Sequence, residues 1–281
     1  MSRKSATLEQ PNEDAPIISR SEQKQVEERQ AIGATVVYEA IRREGEEELR
    51  RPVAALAWSA LAAGLSMGFS FIAEGALMAR LPDAAWRPLV TRFGYSVGFL
   101  VVVLGRQQLF TENTLTVVLP LLLHKNRETL FRLLRLWSVV LAANLVGTFL
   151  FALAVGKIQV VDPHTQQCLR DIGMSHLDVT PGIIFVRAIF AGWLIALMVW
   201  LLPGAESARV GIIILLTYLI GLNAFSHIIA GSTTMFFLIV THAASWSTYF
   251  LRFFLPTLFG NVLGGVSLVA ALGHAQVIGG R

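Results

Sequence analysis

The chain of 281 residues has a single cysteine, Cys168, so neither an internal disulfide nor a cysteine-based metal site is open to it. Charge is scarce where most of the chain lies. Residues 51–281 carry 8 acids and 15 bases, whereas residues 1–50 carry 11 acids and 8 bases. The formal charge of +4 is therefore the sum of an acidic front and a basic body. No basic stretch interleaved with aromatics occurs, which removes the usual reason to expect nucleic acid. The first 30 residues lack an apolar run ending in small residues, so no cleaved signal peptide is expected. His124, His164, His176, His242 and His274 fall without metal-ligand spacing, and neither a metal nor a cofactor is expected.

What is abundant is apolar surface, at 54% of residues. Residues 1 to about 30 are polar without a sustained period and are expected to be disordered. In 31–51, Ile32, Val36, Tyr38 and Ile41 fall near one face, giving either an amphipathic helix on the membrane surface or a solvated charged helix. Residues 1–50 read as a cytoplasmic N-terminal tail and 51–281 as a transmembrane channel domain. A hydrocarbon core of roughly 30 Å takes about 20 apolar residues to cross. Six stretches qualify, near 53–79, 93–123, 133–156, 183–203, 210–246 and 254–274, which makes the fold an all-α integral membrane one.

The second and fifth stretches are too long and too polar in the middle to be plain helices. One carries Arg106, Gln107, Gln108, Thr111, Glu112, Asn113 and Thr114, and the other Ser226, His227, Gly231, Ser232, Thr233 and Thr234. Lipid cannot satisfy freed backbone groups, so such breaks are expected where protein or a polar passage surrounds them. The segment ANLVGT at 143–148 resembles GNVLGG at 260–265, and the same offset carries Thr111 to Ile228, beside His227. The chain therefore reads as two repeats of three spans with broken middle helices. Three is odd, so the second copy is inverted, and paired breaks in inverted repeats point to a transport site near the midplane. Arg42, Arg43, Arg50 and Arg51, with Lys125, Arg127, Arg132 and Arg135, place both termini in the cytoplasm.

LFTENT at 109–114, FSHIIAG around His227 and GNVLGG at 260–265 resemble the formate/nitrite transporter family, over about residues 40–281. RQQLFTENT, GWLIALMVW at 192–200 and ALGHAQ at 271–276 are most similar to its YfdC-like inner-membrane branch. The resemblance implies an aquaporin-like fold in a bacterial inner membrane, assembled as a homopentamer with one pore per protomer. It also implies a small monovalent anion, such as formate, nitrite or hydrosulfide, as substrate. By that resemblance His227 and Thr111 form the transport centre, and Tyr95, Phe99, Ile220 and Phe225 form apolar constrictions.

An anion entering an apolar constriction loses hydration worth several kcal/mol. A histidine titrating near neutrality offsets that cost or protonates the anion, and a threonine hydroxyl fixes the ring. Arg106, Gln108, Glu112, Asn113, Gly192 and Gly231 are further pore-loop or charge candidates. Arg106 reads either as a clamp on Glu112 or as a positive field at the pore mouth. Gln108 and Ser226 stand where the better-known members carry acids, and Gly192 and Gly231 where they carry amides. These departures keep open a channel for a small neutral solute and, in another class, a non-transporting membrane scaffold. GLSMG at 64–68 matches a hydrolase nucleophile elbow on paper, but it lies in an apolar helix, where spaced small residues serve packing. No enzymatic activity is expected.

Overall fold

The computed structural model describes residues 32–205 and 207–270 together with Ser19, with side chains described to Ser267. The disorder expected over 1–30 falls almost wholly outside the described residues. The chain divides into two units, Met1–Gly33 and Ala34–Arg281, and the second is the one described below. Among the described residues every regular element is helical.

The unit begins with α1 (Ala34–Arg50), a short way before the first span, α2 (Val53–Arg80). Then come α3 (Arg87–Leu104) and the half-helix α4 (Asn113–His124). The long α5 (Arg127–Lys157) crosses back, and α6 (Pro163–Met174) is short and amphipathic. The second half continues with α7 (Pro181–Leu201), α8 (Arg209–Leu222), the half-helix α9 (Ile228–Val240) and α10 (Thr248–Ser267). Among the described residues five helices are long and apolar enough to cross a membrane, namely α2, α3, α5, α7 and α10, while α4, α8 and α9 are shorter apolar helices, in keeping with six expected spans. Side-chain caps start several of them: Asn126 accepts from Thr129 N at 2.8 Å, and Asp162 from Thr165 N at 2.9 Å.

The inverted repeat is visible residue by residue. Asn144 of α5 accepts the backbone N–H of Phe110 at 3.0 Å, and its amide donates to the carbonyls of Gln108 (2.9 Å) and Ala60 (2.6 Å). Asn261 of α10 accepts from Ile228 N at 2.8 Å and donates to the carbonyls of Ser226 (2.9 Å) and Ala188 (2.8 Å). Each asparagine ties the return segment of a broken helix to the first helix of its own repeat. Small residues let those helices meet. A Cβ on Gly64 would lie 2.2 Å from the Asn144 carbonyl oxygen, and one on Gly192 would lie 2.3 Å from that of Asn261. The GLSMG segment is thus a helix-packing surface.

Among the described residues four non-glycine residues have left-handed φ, and they fall into two repeat-related pairs. Arg106 (51°) and Ala224 (50°) reverse the chain after α3 and α8, and Lys125 (49°) and His242 (61°) end the half-helices α4 and α9. The repeat also includes the two short helices α1 and α6. Gly45 of α1 sits against Thr116 and Pro120 of α4, and Gly173 of α6 sits against Leu238 of α9. α1 and α6 are therefore equivalent covers on opposite faces. The buried stripe of α1 is Val37, Tyr38, Ile41, Gly45 and Leu49, with Val36 and Ile32 exposed, so its apolar face is turned slightly from the one the spacing suggests. That face is spent on α4 and α5, which are within contact range.

Each half-helix packs on the opposite repeat, α9 against α5 and α2, and α4 against α10 and α7. This exchange brings both return segments to the middle of the bundle.

Candidate transport site

After Arg106 the chain turns back into the protein, so the residues that follow are in the interior while Arg106 itself is not. Its side chain is 79% exposed and pairs with Glu44 of α1 at 3.4 Å. Of the two readings of Arg106 the clamp on Glu112 is not formed, because α3 runs far enough to deliver Arg106 to the face covered by α1, where it meets Glu44. Around that face, Arg42 and then Arg43 hold the Glu39 carboxyl down to about 2 by direct hydrogen bonds. The His124 ring, hydrogen-bonded at 3.0 Å, lowers Glu46 from the ordinary carboxylate range, helped by Arg42.

The return segment itself is held by its own amides. Gln108 donates its backbone N–H to Ser59 Oγ at 3.1 Å, and its side-chain oxygen accepts from Asn113 Nδ2 at 3.0 Å. The Asn113 carbonyl accepts from Trp137 Nε1 at 3.2 Å. These two residues shape the loop. Glu112 opens α4 and leaves Oε1 buried without a hydrogen-bond partner among the described residues.

Thr111 and His227 meet at the centre, Oγ1 to Nε2, at 2.8 Å. Both are sealed, at 0% and 1% exposure. His227 is also the N-cap of α9, its Nδ1 accepting the Ala230 N–H at 3.2 Å. An acceptor Nδ1 places the proton of a neutral ring on Nε2, so the ring donates to Thr111 Oγ1. The hydroxyl hydrogen of Thr111 is then left for another acceptor.

Phe99 covers the imidazole edge-on, with ring centroids 5.0 Å apart, and Tyr95 lies 5.3 Å further along α3. Tyr95, Ile220 and Phe225 line, together with His227, a cavity of about 30 Å³, room for about two water molecules. All four aromatic or aliphatic candidates are thus brought to the histidine from the face opposite α1. Gly231 lines the same cavity under Phe253. Gly192 is placed elsewhere, packed on the Asn261 backbone. Arg187 lines a smaller cavity of about 20 Å³ with His176 and Ser226.

Sequence reasoning missed an ion pair in the larger cavity, the one lined by His227: Arg92 Nη1 to Glu74 Oε1 at 2.7 Å. Its signal was Glu74 itself, an acid set in the apolar run FIAEGALM. It also quoted the segments that hold Asn144 and Asn261 without giving those asparagines a role. Among the described residues no cluster of His, Cys, Asp or Glu could hold a metal ion.

The formate/nitrite transporter profile matches residues 35–275. The Inner membrane protein YfdC of Escherichia coli K12 is 42% identical over 251 residues, covering 89% of this chain and 81% of that protein. Among solved structures, one titled "FNT family ion channel" aligns at a TM-score of 0.75 and 19% identity, covering 86% of this chain and 98% of the other. A "Pentameric formate channel with formate bound" aligns at 0.67 and 20% identity, covering 82% and 98%. At those identities the likeness is one of fold, and it extends over the bundle just described.

Proposed function

The chain belongs to the formate/nitrite transporter family, and on that premise we propose that His227 and Thr111 pass a small monovalent anion across the membrane. The protein is a multi-pass membrane transport protein rather than an enzyme. The observation that carries the reading is the buried 2.8 Å contact between Thr111 and His227, the latter in the wall of a small cavity. An anion of the size of formate, nitrite or hydrosulfide reaches this point with most of its hydration removed, at a cost of several kcal/mol. The free hydroxyl hydrogen of Thr111 offsets part of that cost.

The remainder falls to the ring. An imidazolium carries hydrogens on both nitrogens, so it must give up the Ala230 contact at Nδ1. Giving one proton to the anion returns the ring to its neutral form, whose Nε2–H tautomer accepts the Ala230 N–H again, and leaves a neutral acid, which crosses the apolar constriction at far lower cost. Tyr95, Phe99, Ile220 and Phe225 supply the constriction. Gln108, Glu112, Asn113 and Gly231 shape the passage, and Arg106 acts at the rim. We assign the protein to the inner membrane as a homopentamer, in line with its inner-membrane relative and its pentameric structural neighbour, with both termini cytoplasmic by the excess of Lys and Arg beside α1 and α5.

Uptake of formate, nitrite, hydrosulfide, acetate and a neutral solute into proteoliposomes at two pH values tests this reading. An anion is expected to pass faster at acid pH, and His227→Ala is expected to remove that dependence. Passage of the neutral solute alone would replace the reading with a neutral-solute channel, and no flux at all would favour a scaffold.

A further inference from the structure

The cavity lined by His227 contains a second polar group that the central pair does not use. Glu74 of α2 is 4% exposed and accepts from Arg92 Nη1 at 2.7 Å. The contact is built in by the backbone: a Cβ on Gly94 would lie 2.5 Å from Glu74 N, so only glycine lets the turn carrying Arg92 rest on α2 here. A guanidinium has five N–H donors in a planar fork. No other hydrogen bond of this one is found among the described residues, and its side chain keeps 25% of its exposure. The remaining edge of Arg92 is thus available, in the same cavity as His227.

We propose that Arg92 is a second binding station for the transported anion on the approach to His227, and that Glu74 keeps this station weak enough to release. The inference rests on the transport reading above. A lone arginine in a cavity of about 30 Å³ would hold an anion too firmly for flux, and a fully neutralised one would not gather it. Conduction needs binding strong enough for entry and weak enough for exit. Pairing with one carboxylate oxygen leaves an intermediate state. The free edge of the fork matches a planar anion with two oxygens, as in a small carboxylate or nitrite. Hydrosulfide, with a single soft atom, gains little from it. Arg92 is therefore a specificity-determining residue for two-oxygen monoanions.

The test uses the full chain in proteoliposomes, with concentration series of formate and of hydrosulfide. Glu74→Gln combined with Arg92→Gln removes both charges and leaves neither partner stranded. It is expected to raise the half-saturation concentration for formate about tenfold or more, the scale of a lost charge-assisted hydrogen bond, and to change that for hydrosulfide less than about twofold. Glu74→Gln alone is expected to lower formate half-saturation severalfold together with the maximal rate. Arg92→Lys, which keeps the charge and loses the fork, is expected to fall between wild type and the double variant, and it covers the case in which the double variant does not fold. Equal shifts for both anions, or unchanged formate half-saturation in a folded variant with the wild type conducting, would overturn the station alone. A wild type that conducts neither anion would overturn it together with the transport reading.

Discussion

Phe110 and Ile228 each give their backbone N–H to an asparagine of the last helix in their own repeat, at 3.0 and 2.8 Å, yet the residues beside them have little in common. Aligned on those two amides, His227 falls opposite Leu109, and Thr111 opposite Ile229. Leu109 and Ile229 are fully buried core residues. The two return segments thus share the parts that hold backbone and differ in the parts that can meet a solute. The asparagines, the helix-contact glycines and the left-handed turns are duplicated. The histidine and the threonine are each present once, and they meet because the two repeats interlock. In this molecule the symmetric positions carry the fold, and the departures from symmetry hold the residues to which the proposed transport chemistry is assigned.

The strongest way to break that comparison is at the asparagines. Asn144→Ala leaves the Phe110 N–H and the Gln108 carbonyl without their partner and removes the second hydrogen bond of the helical Ala60 carbonyl, and Asn261→Ala does the same at Ile228, Ser226 and Ala188. An unpaired buried polar group costs about 1–3 kcal/mol, so each change is expected to remove on the order of 3 kcal/mol or more. Thermal unfolding in detergent should show losses of similar size at the two sites. A variant at one site that melts like the wild type would mean the two clamps are not equivalent.

A smaller effect is expected where the first helices touch the last. Gly64→Ala and Gly192→Ala both force a Cβ to within 2.2–2.3 Å of a backbone carbonyl oxygen, which the helices relieve only by separating. Overpacking of this kind costs about 1–3 kcal/mol. Both variants should melt earlier, by comparable amounts, with the relative preference among anions unchanged in the protein that remains folded. If Gly192→Ala kept its stability and changed anion preference, Gly192 would belong to the passage and not to the packing surface.

How much of this could be read from the chain depends on what each residue type costs in lipid. Polar residues inside apolar runs are expensive, so the breaks at Arg106–Thr114 and around His227 stood out, and the repeat was visible in ANLVGT and GNVLGG because an asparagine and a glycine recur there together. The matching contacts on the first helices, Ala60 with Gly64 and Ala188 with Gly192, were not visible, since small residues leave no distinctive pattern and their spacing between repeats differs from that of the asparagines. The reading of Arg106 as a clamp on Glu112 failed because nearness in sequence becomes contact only while the helix continues in one direction. Here α3 is long enough to reach the far face before the chain reverses. The Glu74–Arg92 pair joins two elements across a turn, and nothing in the order of residues says which acid meets which base.

The least effect is expected where the two covers differ, on the solvent side of α1. α1 and α6 occupy equivalent places, but only α1 carries a chain of ion pairs, in which Glu39 binds Arg42 at 2.7 Å and Arg43 at 2.7 Å, while Arg42 also reaches Glu46. Glu39 has its folded-state value lowered to about 2 from an ordinary 4.5, so whatever stability it contributes is fully present above pH 4.5 and is lost as pH falls toward 2. Its side chain is 40% exposed, and solvent screening keeps the contribution of such pairs under about 1 kcal/mol. Glu39→Gln is therefore expected to melt slightly below the wild type at pH 7, with the gap narrowing below pH 4.5 and anion flux unaltered. A gap that persisted undiminished at pH 3 would assign the stabilisation to packing of the Glu39 side chain and not to its charge. A large loss of flux would instead make the cover formed by α1 part of the passage, which the symmetric reading of α1 and α6 does not predict.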